Sequence, residues 1–311
     1  MLTTEQIDGA IVGLLVGDAL GVPYEFHPPG RIPSQHLIEF APPAGFFRSH
    51  SGVPIGTWSD DGALALCLLA SLVECNELNV DDLALRMTRW LNSGYMAVRN
   101  QVFDVGIVTA EAIESLDAGA DPVRAGRTDV MSNGNGSLMR VLPLALWHRG
   151  SDAELARDAE LQSRLTHGHR RARLCCALYV LWARRTAAGA ADPWFDAADT
   201  LMEIHADDPE ALEELEDAIR PYEERAVNGS GYVVDALHSA RWAVEQGPYE
   251  VVVKAAVSLG NDTDTTACIA GGIAGLRDGI DAIPSRWRNA LRGREILDPL
   301  LEAFHAQRSA V

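Results

Sequence analysis

Residues 9–21 read GAIVGLLVGDALG and set Gly9, Gly13 and Gly17 four apart along an apolar stretch. Four residues is close to one helical turn, so the glycines share one side of a helix and leave a strip bare of side chains. Such a strip lets another backbone approach closely. Near the far end of the chain, ACIAGGIAGL at 267–276 carries Ala267, Ala270, Gly271, Ala274 and Gly275, small residues mostly on one side. Both stretches are predicted to be closely packed interior helices.

Helical periodicity runs through most of the rest. Thr4 reads as the cap of a first helix with Ile7, Ile11, Leu14 and Leu15 inward. Further helices are predicted near 61–75, 80–92, 104–117, 138–147, 152–164 and 169–187. Others follow near 208–220, 231–245, 249–258, 265–278 and 295–308. The acidic run DDPEALEELEDAIRPYEE reads as a solvated surface helix and its exit. Strand signals are scarce, no internal repeat suggests a solenoid, and no Ser/Gly/Pro linker divides the chain. The expectation is an all-α protein, one compact domain over residues 1–311.

Charge and cysteines narrow the function classes. With 44 Asp and Glu against 26 Lys and Arg, the formal charge is −18. That argues against non-specific binding to nucleic acid or to an anionic membrane. Glu5 and Asp8 precede the first apolar stretch with no basic residue ahead of it, so no secretory signal is expected. No run reaches the roughly 18 apolar residues of a membrane span. Cys67, Cys75, Cys175, Cys176 and Cys268 lack metal-type spacing and read as reduced thiols of a cytoplasmic protein.

Loops are expected at 26–58, at 125–137 and at the turn NDTD, and loops on a rigid scaffold often carry function. Two helix starts there share a pattern. WSDDGALAL at 58–66 places Ser59, Asp60 and Asp61 ahead of an apolar run, and NDTDTTACIAGG places Asp262, Asp264 and Thr265 ahead of another. Capping would need one side chain per helix. Extra carboxylates in one turn repel each other, which a bound cation relieves. All the candidate donors are oxygens, suited to Mg²⁺, Mn²⁺ or Ca²⁺ rather than Zn²⁺. Capping and a metal site both remain open on this pattern alone.

Taken in order, several stretches resemble the ADP-ribosylglycohydrolase family. These are GAIVGLLVGDALGVPYEF, GTWSDDGALAL, FDVG, SNGNGSLMRVLPLAL, SGYVVDALHSARWAV and LGNDTDTTACIAGGIAG, which together span nearly the whole chain. The resemblance implies an orthogonal multi-helix bundle with an ADP-ribose pocket beside two divalent cations, Mg²⁺ or Mn²⁺. It implies Ser59, Asp60, Asp61, Asp262, Asp264 and Thr265 as metal ligands. Glu25, Asp60 and Asp61 would supply the carboxylates of the reaction. Asp104, Asn133, Gly134, Asn135, Gly136, Ser137, Leu138, Met139 and His167 would bind substrate. NGNGS also offers amide groups before a helix, suited to a diphosphate; the alternative is an ordinary turn with Ser137 as a cap.

The implied activity is metal-dependent hydrolysis of the C1″ glycosidic bond of ADP-ribosylated protein, arginine first, with ADP-ribose as product. Serine-linked or non-protein ADP-ribosyl substrates, or a non-catalytic ADP-ribose binder on the same fold, are the alternatives. No nucleic-acid or membrane partner is expected. Departures from the family pattern are Gly62, where threonine is common, and Gly168, where proline is common. Segment 40–57 matches no family pattern and is expected to shape the substrate entrance. Trp58 reads as packing behind the metal loop.

Overall fold

The computed structural model describes residues 2–309. Its helices are α1 (Thr4–Gly21), α2 (Asp60–Cys75), α3 (Val80–Ser93), α4 (Ile107–Asp117) and the short α5 (Pro122–Ala125). Next come α6 (Leu142–Trp147), α7 (Asp152–Ser163), α8 (Arg170–Ala187), α9 (Pro193–Ile204) and α10 (Pro209–Glu213). The last are α11 (Val233–Val244), α12 (Tyr249–Ser258), α13 (Thr263–Asp278), α14 (Ser285–Ala290) and α15 (Arg294–Ser309). No strand occurs among the described residues, only isolated bridges at Arg127–His167 and Gly134–Tyr232. The all-α expectation holds.

At the centre, α1 lies antiparallel against α13 with the glycines of each facing the backbone of the other. A β-carbon on Gly13 would stand 2.5 Å from the Gly271 carbonyl oxygen, and one on Gly9 or Gly17 would overlap the carbonyls of Gly275 or Ala267. Only bare backbone fits at that separation. Tyr249 of α12 donates to the Gly13 carbonyl at 2.7 Å, tying a third helix to the pair.

The C-terminal end of α1 anchors the starts of two other helices. Asp18 is fully buried and accepts hydrogen bonds from the Ser59 amide at 2.9 Å and the Gly62 amide at 2.8 Å. It therefore caps the first turn of α2 from another helix. Thr263, at the start of α13, donates to the Gly21 carbonyl at 2.8 Å. Both α2 and α13 thus begin beside the last turn of α1, which brings residues 59–61 and 262–265 together.

Several expected boundaries move. Thr3, not Thr4, caps α1, because Gln6 three residues later completes a reciprocal pair at 3.0 and 3.2 Å. The helix expected from 104 starts at Ile107, since Asp104 has φ 58°. The one expected from 138 starts at Leu142, with turns before it. The 208–220 helix splits after Glu213 into a π-helical turn that ends at Arg220 in the left-handed region. Helix α9 has no counterpart among the expected helices, although Asp192 before Pro193 is a helix-start signal.

Residues 4–24 form a helical stretch of 21 residues whose most apolar 18-residue window has mean hydropathy 1.4, long and apolar enough for a membrane span, where the sequence showed no uninterrupted apolar run. It is a core helix: 94% of its most apolar window is buried inside the protein. The five cysteines are free thiols, four of them buried.

Candidate metal centre and ligand pocket

The two acid clusters meet. Asp61 Oδ2 accepts from Ser59 Oγ at 2.9 Å and from Thr265 Oγ1 at 3.3 Å. One carboxylate oxygen from each of Asp18, Asp61 and Asp264 lies within 4.8 Å of the others, and Glu25, Asp262 and Asp264 form a second such group. Asp264 belongs to both. Asp18 spends its oxygens on the α2 amides, so in the first group it acts mainly as a scaffold.

Capping accounts for little of this. Ser59 does cap α2, accepting from the Asp61 amide at 3.3 Å. Asp262 caps nothing with its side chain, and its Oδ2 instead accepts from Asn135 Nδ2 at 2.8 Å. Asp61 Oδ1 and Asp264 Oδ2 are buried with no hydrogen-bond partner. An orphaned buried carboxylate oxygen is expensive, and a hard cation is the partner that removes the cost. The all-oxygen donor set therefore fits a hard divalent cation.

The electrostatics agree. Burial first, and neighbouring acids second, hold Asp60, Asp61 and Asp264 well above the ordinary carboxylate range. Burial also raises Asp262, against the opposing hydrogen bond from Asn135. Asp18 is pushed up to about 7, chiefly by burial. Glu25 is pushed up to about 11 by burial and then by Asp104, Asp262 and Asp61. These acids share one small volume, and a divalent ion bound there would reverse that penalty.

Glu25 comes from the turn after α1. Phe26 beside it has φ 59°, and so does Asn261 across from it; the Phe26 amide donates to Asn261 O at 2.7 Å and the Asn261 amide to His27 O at 2.6 Å. Asp104 is a third residue here in the left-handed region. Such conformations cost on the order of 1 kcal/mol each and persist where the surroundings enforce them. His50 Nε2 lies 2.6 Å from Glu25 Oε2, and Glu25, His50 and Asp104 cluster within 4.8 Å.

Above the acids opens a cavity of about 500 Å³, lined by Glu25, Asp60, Asp104, the Gly134–Gly136 loop, His167, Asp262 and Thr265. That is room for a nucleotide-sized ligand. Met139 also lines it, as do Phe26, Ile107, Thr109 and Gly231, which the sequence had not singled out. Phe26 and Ile107 are 67% and 76% exposed and form an apolar lip.

Not every expected residue faces this space. Ser137 turns inward to Ser163 Oγ at 2.8 Å and Cys176 Sγ at 3.4 Å, and Leu138 is in the core. Asn133 bonds the Val130 carbonyl at 2.9 Å. The reason is that the chain turns at 135–139 instead of starting a helix. The Leu138 and Met139 amides are already taken by Asn135 O, and the Asn135 amide by Gly231 O. The amide run is therefore partly spent.

His167 is buried, its Nδ1 2.8 Å from Thr166 Oγ1, and burial with nearby Arg140 pushes it down to about 3, so the ring is neutral. Arg140 is itself fully buried and donates to Gly136 O at 3.1 Å and Thr166 Oγ1 at 2.8 Å, pinning the loop to the His167 segment. Both family departures have a local cause. A β-carbon on Gly62 would stand 2.6 Å from Leu15 Cδ2 and 2.9 Å from Asp18 Oδ2. The Gly168 amide donates to Arg127 O at 2.8 Å, a bond proline lacks.

Asp18, Arg140 and His50 escaped the sequence reading. A lone acid in VGDALG and a lone cation in SLMRVLPLAL were visible signals of buried charge. His50 gave none.

The fold thus sets two neighbouring acid groups under a nucleotide-sized cavity in an α-helical bundle. A family model described as ADP-ribosylglycohydrolase matches residues 2–310, and the chain belongs to that family of hydrolases. It is 31% identical to an ADP-ribosylarginine hydrolase of Pseudomonas putida (strain GB-1) over 293 residues, covering 92% of this chain and 75% of the relative. It is 29% identical to the ADP-ribosyl-[dinitrogen reductase] glycohydrolase of Rhodospirillum rubrum, covering 91% and 89%. A solved structure described as an ADP-ribosylglycohydrolase-related protein complex superposes with a TM-score of 0.75 at 31% identity, covering 97% of this chain and 98% of that one.

Proposed function

We propose that the chain acts as a single-domain, metal-dependent hydrolase that cleaves the C1″ bond of ADP-ribosyl-arginine on protein, releasing ADP-ribose in the cytoplasm. The observation that carries the metal dependence is the pair of orphaned buried oxygens, Asp61 Oδ1 and Asp264 Oδ2, under the cavity. Arginine as leaving group rests on the two ADP-ribosylarginine hydrolases among the relatives, 31% and 28% identical.

Ser59, Asp60, Asp61, Asp262, Asp264 and Thr265 would hold two divalent cations, Mg²⁺ or Mn²⁺. When bound, such ions lower the pKa of water and act as Lewis acids toward ribose hydroxyls. Glu25 lines the same cavity and would orient the attacking water and accept its proton. Asp60 also lines the cavity, where it can stabilise positive charge at C1″. Asp104 on the wall suits a cationic guanidinium. The Gly134–Gly136 backbone and Met139 flank the diphosphate and ribose, with neutral His167 behind them.

The test is release of free ADP-ribose from arginine- and serine-ADP-ribosylated proteins, with Mg²⁺, with Mn²⁺ and with a chelator. Cation-dependent release from the arginine substrate is expected. Release from the serine substrate alone would reassign the leaving group. No release from either, with ADP-ribose still bound, would leave a binder.

A further inference from the structure

The carboxylate of Glu25 sits among acids: Asp104, Asp61 and Asp262 are the charges that act on it. One nitrogen reaches it. His50 Nε2 stands 2.6 Å from Glu25 Oε2, from a segment that the family pattern does not cover. Two aromatic rings lie near the His50 ring, its centroid 5.7 Å from that of Phe26 and 5.2 Å from that of Phe103, both tilted against it. Its backbone is held too, the carbonyl accepting from the Val53 amide at 3.0 Å and from Arg48 at 3.3 Å. The preceding Ser49 hydroxyl donates to the Glu25 carbonyl. Residues 49 and 50 therefore grip both the backbone and the side chain of Glu25.

We propose that His50 is a positioning residue that fixes the Glu25 carboxylate over the cavity floor. This rests on the hydrolase reading, in which Glu25 orients the water. A glutamate side chain free to rotate would spend much of its time out of reach of C1″, and misplacement by about 1 Å is enough to slow a reaction severely. The hydrogen bond to a ring packed near Phe26 and Phe103 selects one rotamer. The hydrolase reading puts the diphosphate and ribose against Gly134–Gly136 and Met139 rather than against His50, so the effect falls on turnover.

Two substitutions separate the hydrogen bond from the packing. His50→Phe keeps an aromatic ring near Phe26 and Phe103 and removes the nitrogen; His50→Gln keeps an amide that can donate or accept and removes the ring. The expected result is a kcat for ADP-ribose release lowered roughly 10- to 100-fold in His50→Phe, with KM unchanged, and a kcat close to the parent's in His50→Gln. Unchanged kcat in His50→Phe, equal losses in both variants, or a loss carried by KM would overturn the proposal. The contact is also read without activity or a folded His50→Phe variant. The imidazole nitrogen signals that His50→Gln removes should shift in Glu25→Gln, and signals indifferent to Glu25→Gln overturn the proposal. A parent that releases no ADP-ribose but shows that shift would sink the hydrolase reading and leave the contact standing.

Discussion

Thr265 Oγ1 donates to Asp61 Oδ2 at 3.3 Å, joining residues 204 positions apart in the first turns of two helices. Neither helix touches the other for long. Each is anchored to the C-terminal end of α1, α2 by Asp18 and α13 by Gly21. The acid centre is thus a consequence of where α1 ends.

Asp264→Asn removes one charge from the residue shared by both acid groups. Without cations the variant should be more stable than the parent by on the order of 1 kcal/mol, the worth of about one pKa unit of relieved burial cost and repulsion. Stabilisation by Mg²⁺ or Mn²⁺ should shrink, and ADP-ribose release should fall roughly 100-fold or more. Melting with and without cation, beside a release assay, checks all three.

Raised carboxylates make the cation-free fold sensitive to alkali. Asp60, Asp61, Asp262 and Asp264 are raised in the folded state, Asp18 to about 7 and Glu25 to about 11. The folded state then holds more protons than the unfolded chain above the ordinary carboxylate range near 4, so stability falls as pH rises. In chelator, Tm should decline from about pH 5 to 8, and the gain in Tm on adding Mn²⁺ should grow over the same window because binding displaces those protons. A cation effect that is flat with pH would show these acids are not the ligands.

Gly136→Val puts a branched side chain against the cavity wall. Its β-carbon would stand 2.8 Å from Thr109 Oγ1 and 2.9 Å from His167 Cε1. ADP-ribose affinity by calorimetry should drop at least about tenfold, the worth of 1.4 kcal/mol, while cation-dependent stabilisation persists. Parent-like affinity would mean that the loop is only a turn.

Gly17→Ala tests the central pair. Alanine should favour an isolated helix by up to about 1 kcal/mol, yet here its β-carbon overlaps the Ala267 carbonyl. Backbone cannot step aside as a side chain tip can, so a net loss of about 2–3 kcal/mol is expected in denaturant unfolding. Cation binding should weaken with it, because Ala267 lies two residues beyond Thr265.

Gly62→Thr restores the residue common in the family and should not restore anything here. The new β-carbon meets Leu15, Asp18 and Trp58 within 2.9 Å. A loss of roughly 1–3 kcal/mol is expected from overpacking, read as a lower Tm. Equal or higher stability would mean that this pocket relaxes easily.

By itself the sequence marked most of the long helices, α9 excepted, because the spacing of apolar residues is a local property and needs no partner. It also marked the acids at 59–61 and 262–265, since several carboxylates in one turn exceed what a cap requires. The strip of Gly9, Gly13 and Gly17 announced a close neighbour but did not name it. Tertiary structure decided that α13 is that neighbour, that Asp18 caps a different helix, and that Ser137 and Leu138 turn inward. It alone placed His50 against Glu25, 25 positions away, in a segment without periodicity. The physical reason is that such contacts depend on where distant turns land once α1 and α13 have locked, and no local pattern of residues encodes a position in space.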